Sequence, residues 1–246
     1  MDICFKNPGF AYIFDSIMEF QSESQSDWWR EALFATYPQL DKTKATPEYL
    51  RQNLKVVYDA QEGEWIDKLR KYAERWRFYK GQIEAAFSEA FEIDCANRFD
   101  NMVGNISLNP ICPRYLDTRT FDIYYENSER GALGIALHEM VHFVWFDVWQ
   151  NRFHDGMAEY ESPHLKWVFS EMAVDPIMRR DKRLYEINPY FADGCAYGYF
   201  YEMKIEGKPI LETLYDMYLD TDIVGFMEQG YAYCAAHEGE IRAQMK

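Results

Sequence analysis

The segment 132–146 constrains the fold more than any other part of the chain, because it is almost wholly apolar. Its length and spacing are typical of a helix that is buried on most of its faces. Three polar side chains interrupt it, namely His138, Glu139 and His142. Ionisable groups inside a protein need partners. The sequence therefore predicts a buried helix whose polar groups meet hydrogen-bonding or ionic partners.

These three residues form an HExxH motif. His138 and His142 lie four residues apart and share one face of the helix, so both imidazoles can reach one zinc ion. Glu139 lies about a quarter-turn away and can act on water at the metal. The alternative is a core helix whose histidines bond to backbone or carboxylate groups. The ligand spacing, with a glutamate inside it, favours the zinc site.

A third ligand is needed, because catalytic zinc usually has three protein ligands. One extended metalloprotease pattern is excluded, because Trp145 and Val148 stand where it requires a glycine and a histidine. The better candidate is Glu171, in a second predicted helix that starts with Ser162 as its cap and Pro163 in its first turn. Apolar neighbours predict that this carboxylate is buried, and a metal ion would be its partner.

The second helix carries another carboxylate, Asp175, four residues after Glu171 on the same face. We expect Asp175 to accept a hydrogen bond from the far ring nitrogen of a ligand histidine. Pro176 follows and predicts that the helix ends or kinks there. His154 and His164, between the two motif helices, stay open as alternative third ligands, although each also fits a solvated surface histidine.

HExxH followed at a distance by E-x-x-x-D resembles the gluzincin group of zinc metallopeptidases. The resemblance rests on two short segments. It implies that His138, His142 and Glu171 are zinc ligands, that Glu139 is the general base, and that Asp175 stands behind a ligand histidine. It also implies a zincin-like catalytic region and a zinc-dependent peptidase whose partner is a peptide or protein substrate.

The resemblance implies two further features. Gluzincins usually have a tyrosine or histidine that stabilises the oxyanion, for which His237 and Tyr190 are the candidates. An edge strand before the motif helix would hold extended substrate, and residues 121–125 are the candidate. Two other functions stay open: a metal-dependent hydrolase that is not a peptidase, and a catalytically silent zinc-binding protein. A di-metal bundle is disfavoured, because it needs a Glu-x-x-His element on each of two helices, and only that of Glu139 and His142 lies inside a predicted helix.

The predicted fold class is α+β and mostly helical. Helical spacings run from Thr46 to Tyr58 and from Trp65 to Phe91, and they return over 211–218 and 223–242. Strand-like segments lie near 103–108 and 121–125, so a small sheet is predicted before the motif helix. We expect a helical N-terminal part, 1–95, and a zincin-like catalytic region, 96–246, which could form one compact body.

Composition excludes several classes of protein. The net charge of −15 disfavours nucleic-acid binding. The one dense basic cluster, 179–183, follows the predicted Glu171 helix and suits the end of a helix. No apolar stretch is long enough to cross a membrane, and the first residues do not resemble a signal peptide. Five scattered cysteines without CxxC spacing fit reduced thiols. We therefore expect a cytoplasmic protein with no membrane association.

Overall fold

The N-terminal part of the chain is mainly helical, as predicted. The computed structural model describes residues 1–96, 98–187 and 194–245. Its first elements are the strand β1 (Ile3–Lys6) and the helices α1 (Phe10–Phe20), α2 (Asp27–Thr36) and α3 (Pro47–Phe91). Helix α3 begins at the predicted position and joins two predicted helical patterns into one. Its exposed Gly63 does not break it, although glycine in a helix costs about 1 kcal/mol relative to alanine.

The aromatic stripe of α3 is a packing surface, as expected. Its apolar residues recur at spacings of three, four or seven and lie on one side of the helix. The buried members are Leu50, Leu54, Tyr58, Trp65, Tyr72, Trp76, Ile83, Phe87 and Phe91. The rings of Tyr58 and Trp65 meet edge to face, with their centroids 5.2 Å apart. Burial of each large side chain contributes about 1.5–3 kcal/mol.

A four-stranded sheet precedes the motif helix, as predicted. Its further strands are β2 (Met102–Ser107), β3 (Arg114–Tyr115) and β4 (Thr120–Tyr124), and the spatial order is β1-β2-β4-β3. β2 pairs in parallel with β1 and β4, while β3 runs antiparallel to β4. Gly104 permits close packing on β2, since a Cβ atom there would lie 2.8 Å from the Phe5 ring.

The prediction that residues 121–125 form an edge strand is wrong. β4 lies inside the sheet, between β2 and β3, and the amide of Asp122 donates to the carbonyl of Pro113. The burial pattern gives the reason, because Phe121, Asp122 and Ile123 are all fully buried, whereas an edge strand exposes alternate residues. β4 therefore has no free backbone edge for an added strand over these paired positions.

The remaining elements are almost entirely helical. The motif helix is α4 (Glu129–Phe153), and α5 (Leu165–Arg180) carries Glu171. The later elements are α6 (Lys182–Ile187), α7 (Gly198–Glu202), β5 (Lys204–Ile205), β6 (Lys208–Pro209), α8 (Ile210–Asp220), α9 (Ile223–Ala236) and α10 (Glu238–Gln244). The predicted α+β, mostly helical class is thus confirmed. In the described ranges, no helix is long and apolar enough to cross a membrane.

The predicted start of the Glu171 helix is wrong, and the helix does not end at Pro176. Ser162 and Pro163 form a turn, and α5 starts at Leu165 with His164 as the residue before it. Pro176 lies inside the helix, which continues to Arg180. A proline in a helix costs about 3 kcal/mol. Packing offsets this cost, because residues 167–178 are buried, including Ile177 and its apolar neighbours.

The described chain forms two compact units. The sheet unit comprises Asp2–Phe78 and Asp100–Ala136, and the helical unit comprises Met1, Tyr79–Phe99 and Leu137–Lys246. In the helical unit, aromatic rings join α4, α5 and α9: Phe169 packs edge to face against Trp145 and Phe226, at 5.1 and 5.6 Å between centroids. Gly230 allows this approach, since a Cβ atom there would lie 2.5 Å from the Phe169 ring. The aromatic core fixes α4 against α5.

Candidate metal centre

The two motif histidines face the same point. They lie one turn apart on α4, and their Nε2 atoms are 3.1 Å from each other. The side chain of His142 is fully buried, whereas 23% of the His138 side chain is exposed. The phenyl ring of Phe146 stacks on the His142 imidazole with the centroids 6.5 Å apart, so the inner histidine has an apolar neighbour on its own helix.

Glu171 reaches the same point from α5. Its Oε2 atom lies 3.5 Å from Nε2 of His138 and 3.4 Å from Nε2 of His142. The glutamate is almost fully buried. The structure thus brings together the three residues that the sequence predicts as ligands, each offering one donor atom. We call His138, His142 and Glu171 the metal-donor cluster.

The spacing of the donor atoms suits a tetrahedral metal ion. Zinc lies about 2.0–2.1 Å from imidazole nitrogen and about 2.0–2.2 Å from carboxylate oxygen. Two ligands at such distances from a tetrahedral centre are about 3.3 Å apart. The three donor-donor distances of 3.1, 3.4 and 3.5 Å bracket this value. Two imidazoles and one carboxylate therefore present a donor set and a spacing that fit zinc.

The other ring nitrogen of His138 has a backbone partner. Nδ1 of His138 lies 2.9 Å from the carbonyl oxygen of Cys195. A carbonyl can only accept, so Nδ1 carries the proton. In the neutral imidazole this leaves the lone pair on Nε2, which points towards the other two donors. The hydrogen bond thus selects the tautomer that a metal ion requires.

Asp175 is close to the site but does not hold His138, because the carbonyl of Cys195 takes that position. Its Oδ1 atom accepts a hydrogen bond from the Tyr201 hydroxyl at 3.0 Å, and its Oδ2 atom pairs with Nε of Arg179 at 2.8 Å. Asp175 follows Glu171 by one turn of α5, which brings the carboxylate near the ligands without direct contact with His138. Its predicted role towards His142 stays a prediction.

Glu139, which lies between the two histidines in the motif, is also buried. Its charge affects its neighbour: burial lowers the pKa of His138, but the Glu171 carboxylate and the charge of Glu139 outweigh this and raise the pKa above the ordinary 6.5. Burial of Tyr199, together with the charge of Glu171, likewise raises the pKa of the Tyr199 phenol. The two carboxylates, Glu139 and Glu171, therefore favour positive charge on His138.

The three other candidate histidines do not belong to the metal-donor cluster. His154 and His164 are exposed, and neither belongs to the metal-donor cluster, so the surface interpretation is confirmed for both. His237 lies at the junction of α9 and α10, where its Nδ1 atom is 3.3 Å from the carboxylate of Glu240. Tyr190 falls outside the described residues, so its predicted role is not addressed by the structure.

Sequence reasoning missed Cys195 and Tyr201. Cys195 contributes its backbone carbonyl, which no residue type reveals, and Tyr201 is one of 19 tyrosines. The helical spacing that identifies residues on α4 and α5 gives no information about a loop that returns to the site from residues 194–196.

Comparison of the chain with protein-family models, with curated proteins and with solved structures gave no match.

Proposed function

We propose that this protein is a zinc-dependent metallohydrolase of gluzincin type, and that it cleaves peptide bonds in a peptide or protein substrate. One observation carries the proposal: the donor atoms of His138, His142 and Glu171 lie 3.1–3.5 Å from one another. Glu139 supports it, because a second buried carboxylate lies next to a ligand in the motif position of a general base.

The donor set favours zinc over the common hard cations. Calcium and magnesium prefer sites made of oxygen atoms, whereas two imidazole nitrogens and one carboxylate oxygen suit zinc. Three protein ligands leave a fourth position for water or substrate, which distinguishes catalytic from structural zinc sites. The partial exposure of His138 is consistent with an approach from solvent on its side.

The chain's own residues have distinct roles in this proposal. Bound zinc would polarise the scissile carbonyl and make water acidic enough to react near neutral pH. Glu139 accepts the proton from the attacking water and delivers it to the leaving amine. His142 and Glu171, both buried, keep bulk water away from the inner side of the site. The Cys195 carbonyl holds His138 in the tautomer that can bind the metal.

The cellular location forms part of the proposal. The five cysteines, all of which lie in the described ranges, form no disulfide, as expected for a reducing compartment. The protein is therefore proposed to act in the cytoplasm.

The test compares the intact chain with Glu171→Ala and with a matched control, Glu228→Ala, which truncates an exposed glutamate on α9. We expect about one zinc per chain in the intact protein and the control. The binding free energy of zinc at a structural site is about 10–16 kcal/mol and is shared among its ligands. Loss of one ligand should therefore lower the zinc affinity by roughly 100-fold or more. Mass spectrometry gives the metal content, and competition with a chromophoric chelator gives the affinity.

A digest of a peptide library then tests the reaction. The zinc-loaded chain should cleave peptides, a chelator should stop cleavage, and added zinc should restore it. Zinc binding without cleavage of peptides would contradict the peptidase assignment, and parallel assays on small amides and esters would identify another hydrolase. A chain that binds no zinc after zinc is supplied would overturn the proposal as a whole.

A further inference from the structure

A loop carbonyl determines the orientation of His138. The acceptor for its Nδ1 proton is the carbonyl of Cys195, in a segment without regular secondary structure. A carbonyl in such a segment orients a ligand only if the segment itself is fixed. The residues that hold Cys195 in place should therefore influence how the metal binds.

The hydroxyl of Tyr201 fixes this segment. It accepts hydrogen bonds from the amide of Cys195 at 2.8 Å and from the amide of Ala196 at 3.3 Å. It also donates its proton to Oδ1 of Asp175 at 3.0 Å. A hydroxyl has one donor and two acceptor sites. All three are used, so the peptide planes on both sides of Cys195 are held at one point.

The ring of Tyr201 also packs against this segment. Gly194 has a φ of +92° and packs on the ring so closely that a Cβ atom would lie 2.7 Å from it. Other residues rarely adopt this backbone conformation, and none would leave space for the ring. The glycine thus places the segment directly against the tyrosine.

Asp175 connects Tyr201 to the helices behind it. Its second oxygen pairs with Nε of Arg179 at 2.8 Å, one turn further along α5. Arg179 in turn pairs with Glu212 on α8 at 2.7 Å and lies 4.3 Å from the centroid of the Tyr215 ring. The hydroxyl of Tyr201 therefore meets a carboxylate whose position two helices determine.

We propose that Tyr201 and Asp175 are positioning residues for the metal, acting on His138 through the backbone of Cys195. The inference rests on the proposed zinc site and adds residues that the HExxH motif does not contain. Neither residue belongs to the metal-donor cluster. Their hydrogen bonds keep the Cys195 carbonyl where it can hold the His138 ring with Nε2 towards the metal.

The test measures metal binding in Tyr201→Phe, which removes the hydroxyl and keeps the ring against Gly194. Its matched control is Tyr185→Phe, at a tyrosine that is half exposed on α6. We expect the zinc affinity of Tyr201→Phe to be roughly ten-fold lower than that of the intact chain. This is in the range found when groups that orient metal ligands are removed. The cobalt-substituted form should also show shifted visible absorption bands, which report ligand geometry directly.

Asp175 gives a second and independent arm. Asp175→Ala should weaken zinc binding as Tyr201→Phe does, and combining both changes should add little, because both break one connection. Asp175→Asn keeps an oxygen that can accept from Tyr201 and should restore most of the affinity. Circular dichroism and thermal unfolding of the metal-free proteins would show that the variants are folded.

The outcomes separate this inference from the proposed function. If the intact chain binds zinc and Tyr201→Phe binds it equally well with an unchanged cobalt spectrum, the positioning role is wrong and the zinc site stands. Additive effects of Tyr201→Phe and Asp175→Ala would also contradict a shared route. If the intact chain binds no zinc, the zinc site itself is wrong and the positioning role falls with it.

Discussion

The helical unit and the sheet unit each contain a cluster of buried polar side chains. The two clusters differ in how they satisfy a buried carboxylate. The second cluster centres on Asp122, which is fully buried in strand β4. We call Tyr12, Ser16, Asn105 and Asp122 the Asp122 cluster. Both clusters place a carboxylate among apolar residues, which is costly unless the charge has partners. The difference lies in what those partners are.

The Asp122 cluster satisfies its carboxylate with protein donors. One oxygen of Asp122 accepts from the hydroxyl of Tyr12 at 3.1 Å and from the amide of Asn105 at 3.2 Å. The other oxygen accepts from the hydroxyl of Ser16 at 3.2 Å. Each donor carries a proton that faces a lone pair. A cluster of this type pairs its carboxylate with protein groups and needs no cation.

The metal-donor cluster has the opposite balance. The lone pair of His138 and the carboxylate of Glu171 converge with a second imidazole, and one shared proton can serve only part of this set. A single cation would be a partner for all three donor atoms together. Burial of a polar group therefore does not identify a metal site by itself. The ratio of lone pairs to protons decides whether the partner is the protein or an ion.

The largest expected effect concerns the chemistry of the helical unit. Glu139→Gln removes the general base and keeps the size of the side chain, so peptide cleavage should fall by roughly 1,000-fold, within the usual range for acid-base catalysis. Zinc content should stay unchanged, because Glu139 is not in the metal-donor cluster. Initial rates and metal analysis on the same sample would measure both. Glu228→Gln, at an exposed position, is the control, and full activity of Glu139→Gln would remove Glu139 from the mechanism.

An intermediate effect concerns pH and the sheet unit. Burial raises the pKa of Asp122 from 3.8 to about 6, although hydrogen bonds from Asn105 and its neighbours partly oppose this. The protonated carboxyl is therefore favoured in the folded state and contributes to the free energy of unfolding. Because the folded pKa is the higher one, this contribution is fully present below pH 3.8 and is lost as the pH rises through 6. A pKa of about 6 instead of 3.8 corresponds to about 3 kcal/mol at most.

Asp122→Asn isolates this contribution, because asparagine does not titrate. Urea unfolding of both proteins in chelator, at intervals between pH 4 and pH 7, would measure it. The intact chain should lose up to about 3 kcal/mol more than Asp122→Asn over this interval. Parallel pH profiles for the two proteins would show that Asp122 does not titrate as proposed. A change of zinc content in Asp122→Asn would show that the Asp122 cluster influences the metal-donor cluster, contrary to the contrast drawn between them.

The smallest expected effect concerns one donor of the Asp122 cluster. Tyr12→Phe removes the hydroxyl that lies 3.1 Å from the Asp122 carboxylate. Loss of one such hydrogen bond should lower the free energy of unfolding by about 1 kcal/mol. It should also raise the pKa of Asp122 further, because this hydrogen bond lowers it. Unfolding at pH 7 and a titration of the carboxyl signal would measure the two effects. An unchanged stability would mean that the hydroxyl contributes nothing to the cluster.

Much of the fold follows from local patterns. Helix α3 starts at Pro47, where the sequence predicts it, and its buried stripe follows the helical spacing. The edges of elements are less predictable, because they depend on competition between local signals and packing. Pro176 shows this clearly: its preference to end a helix is real, but burial of the surrounding turn in α5 outweighs it.

The site divides in a similar way. The spacing of His138 and His142 determines that they share a helix face, since helix geometry fixes which residues are neighbours. The apolar surroundings of Glu171 predicted its burial, and the structure places it with both histidines. The strand at 121–125 was predicted as a strand, but its central place in the sheet depends on β3, which returns antiparallel beside it.

By itself, the sequence determined the approximate positions of the long helices, the face of α4 that carries the motif, and the residue types able to bind a metal. These properties depend on neighbours within a few turns of one helix. Only the tertiary structure decided that the Cys195 carbonyl, and not Asp175, holds His138, and that Tyr201 fixes this carbonyl. The physical reason is that a backbone carbonyl is present at every residue, so its use depends on where the chain returns in space.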